Sequence, residues 1–559
     1  MKKNLVPALF LFFASLFLFS GCKLVLSLLE GIPTVTDEEF SYSIDTSDVS
    51  KYKNSNWYLF KLNVSENYTI DPVGSGYISG LNSRNAVESD FEEQDEQDFS
   101  LDFSDNQNGI PKWNDTEIIR KKDEQVVKSI ASNAARALVS NITSKIQTVS
   151  HSVGDVEQFW YAASDSSFQK ENAVCKYSGK NCEVFFIDNN PIVQKSRLDF
   201  ETLGKKFDTI YEKETQILGT NRYTTHSEYF IDPKSKITIL VADLFNDAEK
   251  NQTGGTFGYF SKTDMYKSEY VNVENKTNEN QIIYIDSYFY SFDGSKNSVI
   301  NGVKYDTRGT IYSTLVHEFN HLLNFCSKTV NQNIDYETWY TEMLAMVAED
   351  LFKDYLEITD DESSIGRLPY YFDRNTDKGF KVWLSGEDAY YSYANCFAYG
   401  AYLVRNYGGV ELLSELALNN QTNEASITAA LKKLGYNKTF EDTLMEFPMV
   451  LLNYDKTTGI TLNKAAENSY DSSLKFDAIK LFPYKSIDSS GKTVKVDTPY
   501  FYKYTKGSGA TLYPYGFTIH SIGKGISGFN YCKPSSQADE YIKGYIANDA
   551  QGIVYDTIY

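Results

Sequence analysis

Two histidines stand four residues apart in the apolar stretch Leu315-Val316-His317-Glu318-Phe319-Asn320-His321-Leu322-Leu323. That spacing predicts a helix over residues 310–325, because on a helix residues i and i+4 share one face a single turn apart. Both imidazoles can then grip one ion, and zinc suits such nitrogen donors when a coordination position stays open for water. Glu318 is one residue beyond His317 and points beside the ion rather than at it, where a carboxylate must stand to take a proton from an activated water. Val316, Phe319, Leu322 and Leu323 fit a packed pair of core histidines equally well, so the acid at 318 is what decides for a metal site. With five histidines in 559 residues, composition alone rarely produces this motif.

Such a site needs a third ligand. An extension of the HExxH motif with Gly at 324 and His at 327 is excluded, since the chain has Asn324 and Ser327 there. A carboxylate from the next helix is expected instead, and Asp335, Glu337, Glu342, Glu349 and Asp350 are the candidates. Glu342 is favoured because it lies inside the helix read over residues 338–356, beside the packing stripe of Trp339, Met343, Met346, Val347 and Leu351. Glu349 is seven residues further on along the same face and is placed to orient a metal ligand.

Together these residues resemble the gluzincin metallopeptidases, in which HExxH is followed by a glutamate ligand on a second helix. Trp339-Tyr340-Thr341-Glu342-Met343-Leu344-Ala345 looks like the W-x-x-E-x-x-A form of that helix. Within the group the chain is similar to the hyicolysin-type bacterial peptidases over about residues 196–420, through Phe257-Gly258-Tyr259-Phe260, Ile282-Ile283-Tyr284-Ile285-Asp286, HEFNHLLNF, Tyr402-Leu403 and Tyr407-Gly408-Gly409. The resemblance implies His317, His321 and Glu342 as ligands of one zinc ion and Glu318 as general base and acid. It implies peptide-bond hydrolysis in a protein or peptide substrate, and a bilobal zincin-like domain with a β lobe and a helical lobe. Met346 departs from thermolysin-like sequences, where an aspartate at that position supports a histidine ligand. Gluzincins also commonly add a Tyr or His that donates to the developing oxyanion; Tyr393 is the candidate, with Tyr390, Tyr391 and His226 competing.

The rest of the chain frames an α+β protein in which smaller β-rich domains precede and follow the catalytic one. Residues 1–21 read as a signal peptide: Lys2 and Lys3, an apolar run over residues 5–19, and Ser20-Gly21 before Cys22. Leu18-Phe19-Ser20-Gly21-Cys22 resembles a bacterial lipoprotein signal, which implies acylation of Cys22 and an exported, membrane-anchored protein at the cell surface or in the periplasm. A run this short falls below the ~20 residues of a membrane-spanning helix. Residues 22–50 read as a tether and 51–195 as a β-rich domain with an acidic insertion at about 84–110. Residues 196–460 read as the catalytic domain and 461–559 as a second β-rich domain. Residues 280–287 read as a strand whose edge is open to an extended substrate. An exported chain permits a Cys175–Cys182 disulfide.

The net charge of −21 and the absence of a basic patch argue against a nucleic-acid partner. A monomer is expected, with the lipid anchor as its membrane contact. Two other functions compete with the peptidase: an inactive, partner-binding surface lipoprotein on this scaffold, and a zinc hydrolase of a non-peptide substrate.

Overall fold

A computed structural model describes residues 38–43, 55–67, 112–113, 117–134 and, apart from breaks, 141–555. The expected signal peptide, Cys22 and the acidic insertion lie outside the described residues. The fold is α+β. From β1 (Asn56–Asn63) the chain passes through α1 (Glu117–Ala134) into six strands. These are β2 (Val156–Ser164), β3 (Ser167–Ser178), β4 (Cys182–Phe186), β5 (Ile237–Ala242), β6 (Gly258–Tyr259) and β7 (Ile282–Asp286). They form one sheet in the order β6-β7-β5-β4-β3-β2.

The middle of this sheet is parallel, β4 beside β5 and β5 beside β7. Every residue of β5 and β7 is buried, which is why both read as unbroken apolar runs rather than alternating ones. Ile237, Ile239, Val241, Ile283 and Ile285 face the large core shared with the helices. Leu240, Ala242, Ile282 and Tyr284 face a smaller cluster on the opposite side.

The same alternation corrects the expected disulfide. Cys182 belongs to the helix-side core and Cys175 to the opposite cluster, so the two thiols lie on different faces, and both are free and buried. The sheet also crosses the domain boundary expected at 195, since β2, β3 and β4 precede it and β5, β6 and β7 follow it. At the other end, β1 lies between β8 (Phe517–Lys524) and β9 (Ile542–Asn548), antiparallel to both. Phe60 of β1 stacks on Tyr545 of β9 at 4.6 Å. Strands expected in separate N- and C-terminal units thus form one sheet.

The edge expected to be open on residues 280–287 is covered. β7 pairs with β6 on its outer side, the Asp286 amide donates to the Phe257 carbonyl, and the Asn280 amide donates to the Asp264 carbonyl. β6 is the terminal strand instead.

Four helices carry the remaining framework. Asp199 caps α2 (Phe200–Leu218) by accepting the Thr202 amide, and Phe207 and Tyr211 on its buried face pack on Phe319 at 4.9 and 5.4 Å. Next come α3 (Arg308–Asn324), α4 (Thr338–Leu356) and α5 (Ala389–Asn406). Helices α4 and α5 are buried nearly all round and run through the interior. Gly400 lets them approach closely, since a Cβ there would come within 2.6 Å of Val347 Cγ2. α5 starts at Ala389, so Tyr393 sits one turn inside the helix.

Asp350 and Arg405 tie α4 to α5 by a two-pronged ion pair at 2.7 and 3.1 Å, both side chains buried. Removing one partner strands the other charge. Asp350→Ala should therefore lower unfolding stability by about 3–5 kcal/mol, measured by denaturant titration.

Candidate metal centre

Packing α3 against α4 brings His317, His321 and Glu342 together, the one group of its kind among the described residues, with donor atoms all within 4.8 Å of one another. His317 Nε2 lies 3.1 Å and His321 Nε2 3.7 Å from Glu342 Oε2. Tetrahedral zinc with bonds of ~2.0–2.2 Å holds its ligand atoms about 3.3–3.6 Å apart, so this spacing fits a single zinc ion. The donor chemistry fits as well: two imidazole nitrogens, one carboxylate oxygen and room in the set for a water.

Each imidazole is oriented through its other nitrogen. His317 Nδ1 lies 2.7 Å from Glu349 Oε1, which fixes the proton on Nδ1 and turns Nε2 toward the donor set. Glu349 is buried and also accepts from Ser313 Oγ at 2.7 Å and from Arg367 Nη1 at 3.1 and 3.2 Å. His321 Nδ1 faces Thr341 Oγ1 at 3.0 Å, and Asn324 donates to the same oxygen at 3.1 Å.

Glu318 is buried, and its Oε2 accepts the Phe260 amide at 2.8 Å, which fixes the carboxylate to the strand-edge side of the site. Burial pushes its pKa up, against the pull of His317 and His321. Burial also lowers the pKa of His317, but Glu342 and Glu349 outweigh that and push it up to about 10. Glu342, raised by burial, is held well below the usual carboxylate range by His321 and His317. Three buried carboxylates around two imidazoles make a pocket that favours positive charge, as a cation site requires.

The remaining acids have other employment. Asp350 pairs with Arg405, and Glu337 accepts from Trp339 Nε1 at 3.0 Å and Lys381 Nζ at 2.9 Å. Asp335 is outside the donor set. Tyr393 packs edge-on against Trp383 at 4.6 Å, and its hydroxyl accepts from Arg120 Nη1 at 3.3 Å. That same Nη1 lies 3.6 Å from Glu342 Oε1, so one guanidinium contacts both the Tyr393 hydroxyl and the candidate donor set. Its competitors are elsewhere: Tyr390 and Tyr391 pack on Tyr370, and both ring nitrogens of His226 are within hydrogen-bond distance of Ser227 and Asp232.

The sequence reading had no place for Ser313, Thr341, Arg367 or Arg120. Ser313 lies one turn before His317 and Thr341 directly before Glu342, so helical spacing carried a signal for both. Nothing local marked the two arginines.

The sequence matches the Peptidase M30 family over residues 188–471, just over half of the 559-residue chain. The chain belongs to that family. The M30 match begins after β4 and takes in β5, β6, β7 and the helices that carry the donor set. The chain is also 26% identical over 300 residues to the neutral metalloprotease ShpI of Staphylococcus hyicus, a match covering 52% of this chain and 61% of that relative.

If Glu349 orients His317, Glu349→Ala should weaken zinc binding about 10–100-fold, measured by competition with a chromogenic chelator. His317→Ala combined with His321→Ala should leave the purified protein without stoichiometric zinc by elemental analysis.

Proposed function

We propose that this M30 protein is an exported, zinc-dependent endopeptidase that hydrolyses peptide bonds in proteins outside the cytoplasm. The observation that carries the proposal is the convergence of two Nε2 atoms and one carboxylate oxygen, with a second buried carboxylate, Glu318, fixed alongside. His317, His321 and Glu342 would hold the ion. When bound, zinc polarises a carbonyl and brings the pKa of a water toward ~7.

Glu318 then accepts the proton of the attacking water and returns it to the leaving amine. The Phe260 amide holds that carboxylate in one orientation by donating to its Oε2. Tyr393 donates its hydroxyl to the oxyanion as charge develops there. An extended substrate adds to the outer edge of the sheet at β6 (Gly258–Tyr259), its terminal strand. The basic and apolar N-terminal run before Cys22 supports export and lipid anchoring through that cysteine.

Glu318→Gln should retain zinc yet lose about 10²–10⁴-fold in kcat on a protein substrate. Tyr393→Phe should lower kcat about 10²–10³-fold while leaving zinc content and KM close to parental. Digestion by Glu318→Gln at the parental rate would remove the role given to that residue.

A further inference from the structure

The residues that lead into the edge strand assigned to substrate already have a neighbour from the chain itself. Lys112–Trp113 pairs in parallel with Gly254–Gly255, and α1 continues beside the residues that follow β6. The anchor is Asp123, buried on α1. Its Oδ1 accepts from Ser261 Oγ at 2.7 Å, from the Thr263 amide at 3.1 Å and from Thr263 Oγ1 at 2.7 Å, while Oδ2 accepts the Lys262 amide at 2.7 Å. Four donors on one carboxylate, all from Ser261, Lys262 and Thr263, fix the helix against this edge. Ile119, Val126 and Ile130 are buried on the same face as Asp123 and complete the docked stripe.

Arg120 lies three residues before Asp123 and therefore on the adjoining side of the same turn. Its guanidinium bridges Glu342 Oε1, at 3.6 Å, and the Tyr393 hydroxyl, at 3.3 Å, and lies 5.4 Å from the centre of the Trp383 ring. A scissile carbonyl polarised beside Glu342 and hydrogen-bonded by Tyr393 needs the volume between those two groups. The guanidinium stands there. The approach to the strand edge and the oxyanion space are thus met by Lys112–Trp113 and α1.

We propose that Lys112–Trp113 and α1 are an intramolecular occupant of the substrate cleft, with Asp123 as its anchor and Arg120 as its plug, and that α1 must leave before a protein substrate can bind. The proposal rests on the peptidase reading above for the identity of the cleft. It requires that loosening α1 opens both the metal and the cleft.

The test uses the full-length, zinc-loaded chain with Asp123→Ala and Arg120→Ala, and Glu124→Ala as a control on the exposed side of α1. Two quantities are read: the rate at which 4-(2-pyridylazo)resorcinol withdraws zinc, and the chelator-sensitive hydrolysis of denatured labelled casein. Asp123→Ala should raise both at least tenfold, Arg120→Ala should raise hydrolysis several-fold with α1 still anchored, and Glu124→Ala should match the parent. If Asp123→Ala fails to fold, Arg120→Ala decides alone. Parental zinc release and parental hydrolysis in both variants would overturn the plug while leaving the peptidase intact, and so would lower hydrolysis by fully zinc-loaded Arg120→Ala. Faster zinc release in Asp123→Ala, with no hydrolysis by any form, would keep the plug and remove the peptidase reading.

Discussion

Two imidazoles and three carboxylates share the interior between α3 and α4, and none of them is tolerable there alone. Glu342 and Glu349 are each almost fully withdrawn from water, and both are held ionised by neighbours that need them in return. Removing any one member leaves an uncompensated charge in a poorly polarisable surrounding, so the group stands as a unit. The helices that carry it must therefore be fixed to within a fraction of an ångström, and much of the surrounding structure serves that demand.

Phe207 and Tyr211 clamp Phe319 from the α2 side, on the helix that carries both histidines. Arg405 does the same for α4 by gripping Asp350, and Gly400 brings α5 close enough for it to do so. The backbone amide of Phe260 brings in the β lobe, since it reaches Glu318 directly. The site is thus held from three directions by contacts of three kinds: aromatic packing, a buried ion pair and a strand-edge amide.

How much of this was legible in the sequence followed the range of the interactions. The i, i+4 spacing of His317 and His321 and the apolar stripe around Glu342 are local, and they located α3, α4 and the donor set. Glu349 was visible as a face-sharing acid on α4, and it takes up the support of His317 that Met346, fully buried among apolar neighbours, cannot give. Partnerships across the chain left no local mark. The hairpin of β2 and β3 reads like any surface β module, and only the parallel pairing of β4 with β5 ties it to the sheet of the catalytic region. The separation of Cys175 and Cys182 onto opposite faces was hidden by a register shift after Cys175 that interrupts the alternation of β3, while the expectation of export favoured a disulfide. Arg120 was beyond reach, because no spacing rule links a helix near residue 120 to an acid at 342.

The position of β1 sets an order on how this protein is made. Asn63 donates to the Leu512 carbonyl, 449 residues away, and both long edges of β1 are satisfied by strands at the far end of the chain. A ribosome or an export channel delivers β1 long before its two neighbours. Throughout that interval an apolar strand with two unsatisfied edges is open to wrong partners, including other copies of itself. The aromatic and aliphatic side chains that make the finished sheet dry are the same ones that would drive such mispairing, so the delay before β8 and β9 arrive, or what shields β1 until they do, bears on the yield of folding.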